Sequence, residues 1–459
     1  MAFDPILAEI RFGAGLSPHH APPASVDAMM AQLTGPDTAA RRFPIPSIET
    51  LDPSPFEVRR SNMAPKDLPE GPERDAAEEL KRENRRRVRE LVQEHFAATV
   101  QRALGSEDGF RERLTLFWAD HFTVRGETAV MRHAVSPFVE DVVRANLAGT
   151  FADMLYAAAT HPVMLRYLDQ HSSVGPNSRD GQRRGGGINE NLAREILELH
   201  TLGVGGPYDQ TDVRQLAELL TGLTAPYRNG FTFRERAAEP GSETVLGVSY
   251  GGADASLSDI RAALSDLAVH PATARHMATK LATHFVADTP DPDLVAAMEQ
   301  TWLESGGRLP VVYEAMLRHP AAWAPERRKV RQPIGYVIAS LRALGVTPEQ
   351  FAAAGIVRIR QRLINPLADM GQPWQTPTGP DGWPEAADAW VTPQFMAARI
   401  NFAMTMPRHF VDPLPDPRAF VFDALGPEPP PDVVFAANAA ETVFEGVGLV
   451  LASAAFQRR

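Results

Sequence analysis

The residues best suited to chemistry lie on one predicted helix, over residues 189–203. At about 100° per residue, Asn191, Glu195 and Glu198 fall within one arc of about 60° on its surface. Carboxylate and amide oxygens are the ligands that Mg²⁺, Ca²⁺ and Mn²⁺ prefer, and carboxylates also bind iron. The arc therefore predicts part of a site for a divalent metal ion of unspecified identity. The alternative is that both glutamates pair with arginines at a helix interface.

A second predicted helix offers the missing ligand. Residues 116–122 read Leu-Phe-Trp-Ala-Asp-His-Phe, so that His121 stands among bulky apolar side chains. Because imidazole binds many transition metals, we expect His121 to join Glu195 and Glu198 at the metal. The alternative is a core histidine whose ring nitrogens are satisfied by hydrogen bonds.

Three more side chains near the acidic arc are candidate catalytic residues. Tyr208 follows a short glycine-rich turn, which holds it beside the acidic helix. Glu190 lies on the stripe that flanks the arc, whereas His200 points nearly opposite Glu195 on the helical wheel. We expect Tyr208 to support the metal ligands rather than to bind the metal itself.

The loop over residues 175–187 is rich in glycine and arginine and leads into the acidic helix. Helix N-termini bind anions, so Arg179, Arg183 and Arg184 are candidates for binding a phosphate compound or a nucleotide. The sequence matches neither a Walker loop nor a dinucleotide fingerprint. A flexible lid or an ordinary surface loop is the alternative.

Composition excludes several classes of protein. The chain of 459 residues contains no cysteine, so disulfides, thiolate-bound metals and a cysteine nucleophile are excluded. A net charge of -11 argues against general binding to nucleic acid. No apolar run approaches the roughly 20 residues that span a bilayer. Asp4 and Glu9 interrupt the region where a signal peptide would lie, which predicts a cytoplasmic protein.

The elements that must position these residues are predicted to be helices. Apolar residues recur at steps of three and four over residues 73–104, and similar patterns continue to residue 448. Most of the 40 prolines lie in residues 1–72 and 366–431, which predicts extended or looped coverings there. Only residues 230–234 and 244–250 look β-prone, and they are predicted to pair as a hairpin. The fold class is mainly α: one large unit over residues 1–459 with one small hairpin.

Much of the chain resembles the bacterial family known as domain of unknown function 1800. The resemblance runs in order through nearly the whole sequence, and residues 189–203 are its most specific part. The other stretches that carry it are 11–13 (Arg-Phe-Gly), 117–122, 159–169, Tyr208, 220–222 (Leu-Thr-Gly), 270–275, 280–281, 285–286, 382–384 (Gly-Trp-Pro) and Trp390.

The resemblance implies a single helical unit, often exported and often encoded beside a sulfatase-like protein, but it implies no activity. Two departures from the family pattern stand out. Leu223 replaces a tryptophan, and Ala238, Glu239 and Glu243 stand where the family has His-Asp and Lys. If those residues serve chemistry in relatives, this chain has an altered site.

These observations favour a helical metalloprotein with a carboxylate and histidine site, performing a redox or metal-dependent hydrolytic reaction. One alternative is a non-catalytic scaffold or escort of the sulfatase-like partner, with the proline-rich segments as the contact surface. A further alternative is a binder of phosphate compounds through residues 175–187.

Overall fold

A computed structural model describes residues 3–126, 128 and 130–459, without the side chain of Arg184. The protein is mainly helical, as predicted from the sequence. The α-helices, α1 to α25 in chain order, are Pro5–Arg11, Val26–Thr34, Thr38–Arg42, Pro55–Met63, Pro72–Gly105, Gly109–His121, Val135–Phe138, Phe151–Thr160, Pro162–Tyr167, Arg179–Arg184, Asn191–Glu195, Gln210–Leu219, Leu257–Ala268, Pro271–Phe285, Pro292–Ser305, Leu309–Arg318, Pro333–Ala343, Pro348–Ala353, Ile356–Ile359, Asn365–Asp369, Pro393–Thr405, Pro417–Leu425, Pro431–Ala439, Val443–Ala452 and Ala454–Gln457.

Proline begins many of these helices instead of excluding them. Its fixed φ suits the first helical turn, where the missing N–H would have no partner in any case. The two proline-rich segments therefore contain helices, α1 to α4 in the first and α20 to α22 in the second. Most residues of both segments still lie outside α-helices, such as the loop over residues 372–386, in agreement with the prediction of mainly extended or looped coverings, but α1 to α4 were not predicted.

Three segments are wound as π-helical turns, and one of them lies in the acidic region. They are Val139–Val143, Ile196–His200 and Arg360–Ile364. The predicted helix over residues 189–203 is thus α11 followed directly by a wider turn that ends at His200. Because a π turn rotates each residue by less than 100°, the helical wheel no longer gives the directions of side chains beyond Glu195.

The β structure differs from the predicted hairpin. The strands β1 to β4 are Leu223–Thr224, Thr232–Phe233, Gly241–Val245 and Val248–Gly252; β1 pairs with β2, and β3 pairs with β4, both antiparallel. Residues 244–250 contain a turn at Leu246 and Gly247, whose φ angles are 50° and 79°. Positive φ at the two central residues is typical of a two-residue hairpin. The strand after this turn, β4, therefore pairs with β3 directly before the turn and not with residues 230–234.

Two apolar clusters form the core. The larger one gathers side chains from α6, α8 and α11 to α16. The second one gathers the C-terminal half of α5, with α17 and the helices up to α25. Helix α6 belongs to the first cluster and runs along its boundary with the second, where Leu116 packs against the second cluster. Among the described residues, no helix is both long and apolar enough to cross a bilayer.

Candidate functional site

Ionisable side chains from four separate segments meet at the C-terminal end of α6. The segments are the end of α6 itself, the π turn Ile196–His200, helix α14 and the loop over residues 381–385. We call this meeting point the α6–α14 cluster; its members are Asp120, His121, His200, His276, Lys280, Asp381 and Glu385. Each segment is helical or tied down by hydrogen bonds, so the side chains have fixed positions.

His121 is a core residue of this cluster. Its Nε2 lies 3.3 Å from the carbonyl oxygen of His200 and therefore carries the proton and donates. The ring stands edge-on to Trp118 and Phe122, at 5.2 Å and 4.6 Å between centroids. Burial lowers its pKa well below the ordinary value, and Lys280 lowers it further. His121 is thus a neutral core imidazole, but its buried Nδ1 has no partner among the described residues, whereas the alternative prediction had both ring nitrogens hydrogen-bonded.

His200 and His276 form the wall on the other side. The ring of His200 lies 5.0 Å from that of Phe122, and burial lowers its pKa to about 3. The Nδ1 of His276 donates to the carbonyl oxygen of Thr201 at 2.7 Å, which holds the end of the π turn. Both imidazoles are therefore neutral at physiological pH, because burial lowers the pKa of His276 as well.

Asp120 carries the carboxylate at the end of α6. Its Oδ1 accepts a hydrogen bond of 2.9 Å from the backbone N–H of Trp383, in the loop over residues 381–385. Burial raises the pKa of Asp120, and the charges of Glu385 and Asp381 add to the rise, although this hydrogen bond and Lys280 oppose it. The carboxyl group of Asp120 is therefore much less acidic than an exposed aspartate.

Lys280 faces this carboxyl group from α14. Burial lowers the pKa of its amine, while the charges of Asp120, Glu385 and Asp381 partly restore it. Although three carboxyl groups lie near enough to act on it, its amine makes no salt bridge with any residue in the described part of the chain. The amine therefore remains available to a bound molecule.

A buried relay fixes the loop that covers the cluster. His284 accepts a hydrogen bond of 3.1 Å from Arg113 at Nε2 and donates one of 2.6 Å from Nδ1 to Glu385. Lys329 donates to the backbone oxygen of Glu385 and to Asp288, both at 2.5 Å. Burial would raise the pKa of Glu385, but His284 and Lys329 lower it strongly. Glu385 is consequently an ionised structural residue.

The predicted acidic arc borders the cluster without closing around a metal. Glu195 is half-buried, and burial, Glu198 and Asp381 raise its pKa to about 7. Glu198 pairs instead with Arg194 at 3.4 Å and accepts the phenol hydrogen of Tyr208, whose pKa rises through burial and this charge. The prediction that Tyr208 lies beside the acidic helix therefore agrees with the structure.

The other predicted site residues lie apart from a common centre. Asn191 is exposed, and Glu190 is occupied by Arg194 at 3.2 Å and by Gln210 at 2.9 Å. The charge that acts most strongly on His121 is that of Lys280 and not that of Glu195 or Glu198. Within residues 3–126, 128 and 130–459, no three His, Asp or Glu side chains are placed to share a metal ion. Glu198 still lies near enough to Glu195 to raise its pKa, but neither glutamate is among the groups that act on His121.

Part of the arginine-rich loop forms the short helix α10, and the acidic residue of this helix contacts another segment of the chain. Asp180 pairs with Arg234, while Arg179 and Arg183 are exposed to solvent. The side chain of Arg184 lies outside what the structure describes. The structure places none of the described arginines of this loop near the α6–α14 cluster.

The sequence patterns missed Asp120 and Lys280 as candidate site residues. Asp120 precedes His121 in the same motif, and Lys280 is one of four lysines in the chain. The sequence signal that could have identified Lys280 is a lysine at an inward-facing position of a predicted helix, because buried lysines are rare.

The chain was also compared with known proteins. The model of the family described as "Protein of unknown function (DUF1800)" matches residues 10–458. No curated protein and no solved structure matches the chain.

Proposed function

Taking as a premise that the chain belongs to this family of unknown function, we propose that it is an enzyme in which Asp120 and Lys280 act as an acid–base pair. The observation that carries the proposal is that Lys280 makes no salt bridge in the described part of the chain, while burial shifts the pKa of the Asp120 carboxyl group upward and that of the Lys280 amine downward. Each group is thereby moved toward the pH range in which it can both accept and release a proton.

Opposite shifts of this kind also occur in a buried structural pair, since burial raises the pKa of Glu9 and lowers that of Arg342 although the two side chains form a salt bridge of 3.2 Å. The close contact is therefore what distinguishes a structural pair. Lys329 makes such a contact, since its amine lies 2.5 Å from Asp288 and is almost fully buried. Lys280 lacks such a contact in the described chain and retains partial exposure. Perturbed groups that are not consumed by pairing are typical of active sites.

The surrounding residues suit this role. Because His121 and His200 are neutral, the charges that act on the Lys280 amine are those of Asp120, Glu385 and Asp381. The backbone N–H of Trp383 fixes one oxygen of Asp120, leaving the second oxygen to exchange a proton with a bound molecule. Glu195 lies at the edge of the cluster as a further carboxyl group with a pKa of about 7.

Chemical labelling of lysines tests the proposal. The rate of acylation by acetic anhydride would be followed at each lysine by mass spectrometry over a range of pH, with exposed Lys66 as the internal reference. We expect Lys280 to reach half of its maximal rate at a lower pH than Lys66. Asp120→Asn should lower that pH further, since it removes a charge that raises the pKa of Lys280.

The matched control is Asp254→Asn, which removes an exposed carboxylate far from the cluster in sequence and should leave Lys280 unchanged. A Lys280 that titrates at or above the pH of Lys66 would contradict the proposal, because a permanently charged amine is a structural one.

The metal site predicted from the sequence stays a prediction. Metal analysis of protein purified without a tag or chelator, compared with Glu195→Gln, addresses it directly. A stoichiometric metal that is lost in the variant would favour the metalloprotein over the acid–base pair.

A scaffold role is the second candidate, supported by exposed aromatic side chains near the C-terminus. Phe435 is 73% exposed on α23, and Phe422 and Phe444 are exposed on the adjoining helices α22 and α24. Such a patch suits a protein contact, for example with the sulfatase-like partner that the resemblance implies. Co-purification that is lost in Phe435→Ser but kept in Val204→Ser, a control on another exposed side chain, would support this role.

A cytoplasmic location also stays a prediction.

A further inference from the structure

A cavity of about 110 Å³ lies next to Asp120, at the boundary of the two apolar clusters. One face of α6 lines it, through Glu112, Leu116 and Ala119, which are spaced by four and three residues, and through the neighbouring Asp120. The other walls come from α5, α7, α17 and the loop that contains Trp374. Apolar side chains dominate the lining, among them Val135 and Ile338.

The size of the cavity limits what it can hold. An apolar cavity of about 150 Å³ holds one benzene molecule, with six carbon atoms. In proportion, 110 Å³ has room for about four or five non-hydrogen atoms. A small molecule, or one small end of a larger one, fits this space.

Two hydrogen-bond donors in the wall are left without acceptors. Arg102 is almost fully buried and donates to the carbonyl oxygen of Phe43 and to Glu140, but its Nη2 has no partner among the described residues. The indole Nε1 of Trp374 is likewise buried without a partner in the described chain. Because buried donors are nearly always satisfied, two unsatisfied ones lining the same cavity indicate a missing acceptor.

The charges around the cavity favour a neutral acceptor. Glu140 neutralises Arg102, and Glu112 with Asp37 neutralises Arg144, at distances between 2.5 and 2.7 Å. An anion would add negative charge beside Glu112, Glu140 and Asp120 without an unpaired cation to receive it. A carbonyl oxygen accepts two hydrogen bonds, donates none and carries no charge.

From these observations we infer that the cavity binds a small neutral carbonyl compound, with its oxygen toward Arg102 and Trp374 and its apolar body among the aliphatic side chains. This inference rests on the proposed function only in identifying the bound molecule as the substrate, since Asp120 lines the same cavity. Binding itself does not require the acid–base pair to work.

The experiment compares two probes by titration, observed through the methyl NMR signals of valine and leucine. The first probe is 2-butanone, which has five non-hydrogen atoms. The second is 2-methyl-1-butene, in which a CH₂ group replaces the carbonyl oxygen. We expect 2-butanone to bind about fivefold or more tightly than the alkene, the factor that one net hydrogen bond supplies. Equal affinity for the two probes, or binding of neither, would overturn the inference.

Variants localise the binding. Trp374→Phe keeps an aromatic ring and removes one donor, so it should weaken 2-butanone about fivefold and leave the alkene unchanged. Ala119→Leu fills the cavity and should abolish binding of both probes, whereas Ala296→Leu, on the exposed face of α15, should have no effect. Unchanged binding of 2-butanone in Ala119→Leu would place the probe elsewhere and contradict the inference. The comparison of the two probes on the unmodified chain remains decisive if Ala119→Leu does not fold.

Failure of this inference can be told apart from failure of the proposed function. Lys280→Met should still bind 2-butanone, because Lys280 does not line the cavity. Binding together with an ordinary lysine titration at Lys280 would retain the cavity and reject the acid–base pair. A lowered titration pH at Lys280 without binding of 2-butanone would retain the acid–base pair and reject the cavity as a binding site.

Discussion

The backbone N–H of Trp383 donates a 2.9 Å hydrogen bond to Oδ1 of Asp120, joining two residues that are 263 positions apart in the chain. This bond closes the loop over residues 381–385 onto the end of α6. It also uses one carboxylate oxygen of Asp120 while leaving the other free of described partners, which sets how that side chain can react.

Gly382 should be essential for this closure. Its φ is +81°, and an added Cβ would lie 2.7 Å from Oδ1 of Asp120 and 2.8 Å from its backbone oxygen. We expect Gly382→Ala to lower the free energy of unfolding by about 2 kcal/mol, through backbone strain and displacement of the loop. Chemical denaturation measures this change. Gly187→Ala is the control, because an added Cβ meets nothing within 4 Å there, and an equal loss in both variants would contradict the expectation.

Glu385 should stabilise the fold in a manner that depends on pH. Its pKa is lowered in the folded state, so its contribution is present above the unfolded value of about 4.5 and is lost as the pH falls below it. Glu385→Gln should therefore cost about 3 kcal/mol at pH 7, where it leaves Lys329 with one fewer carboxylate partner, and less at pH 3. Unfolding curves at both pH values test this, with exposed Glu304→Gln as the control. A loss that does not change with pH would argue against ionised Glu385.

The contribution of Glu195 to stability should depend on pH in the opposite sense. Its folded pKa of about 7 lies above the ordinary 4.5, so its favourable contribution is present below 4.5 and is lost as the pH rises through 7. Relative to the unmodified chain, Glu195→Gln should gain about 1 kcal/mol of stability between pH 5 and pH 8, a value reduced for partial exposure. Thermal unfolding over this range measures the gain. Glu198→Gln, which loses the pair with Arg194, should not gain stability at pH 8.

The acid–base pair and the cavity together predict a simple activity. With 2-butanone in heavy water, the enzyme should break a C–H bond next to the carbonyl, pass the proton to its base and return a deuteron from solvent. Removing a general base typically lowers such rates by about 100-fold or more, so Asp120→Asn should do so here, whereas Lys280→Met should shift the pH dependence of the rate, because the charge of Lys280 lowers the pKa of Asp120. Proton NMR follows the exchange, and Lys66→Met is the control on an exposed lysine. Exchange no faster than with an equal concentration of free lysine would contradict this prediction.

Local patterns were sufficient for the helices. The predicted helix over residues 73–104 is α5, Pro72–Gly105, and the one over residues 109–122 is α6, Gly109–His121. Both depend on a repeat of apolar residues at three- and four-residue steps, which packing against a core reinforces. The β pairing was not predictable in this way, because it depended on the left-handed conformations of Leu246 and Gly247.

The candidate site was predicted only in part. His121 belongs to the α6–α14 cluster, and Glu195 lies near enough to interact with its Asp381, whereas Glu198 and Tyr208 contact each other. The prediction assumed regular helical spacing through residue 203, and the π turn Ile196–His200 removed that spacing. A π turn depends on how the segment packs against its neighbours, and nothing in the local pattern of residues 189–203 specifies it.

By itself, the sequence determined the helical class, the family and the exclusion of thiol chemistry, since these follow from periodicity, ordered motifs and composition. Only the tertiary structure decided that Asp120 and Lys280 face each other, that His121 is a neutral core residue and that a cavity adjoins them. The physical reason is that the pKa of a side chain depends on burial and on charges from distant segments. Those neighbours are assembled by packing and leave no trace in the spacing of residues along one helix.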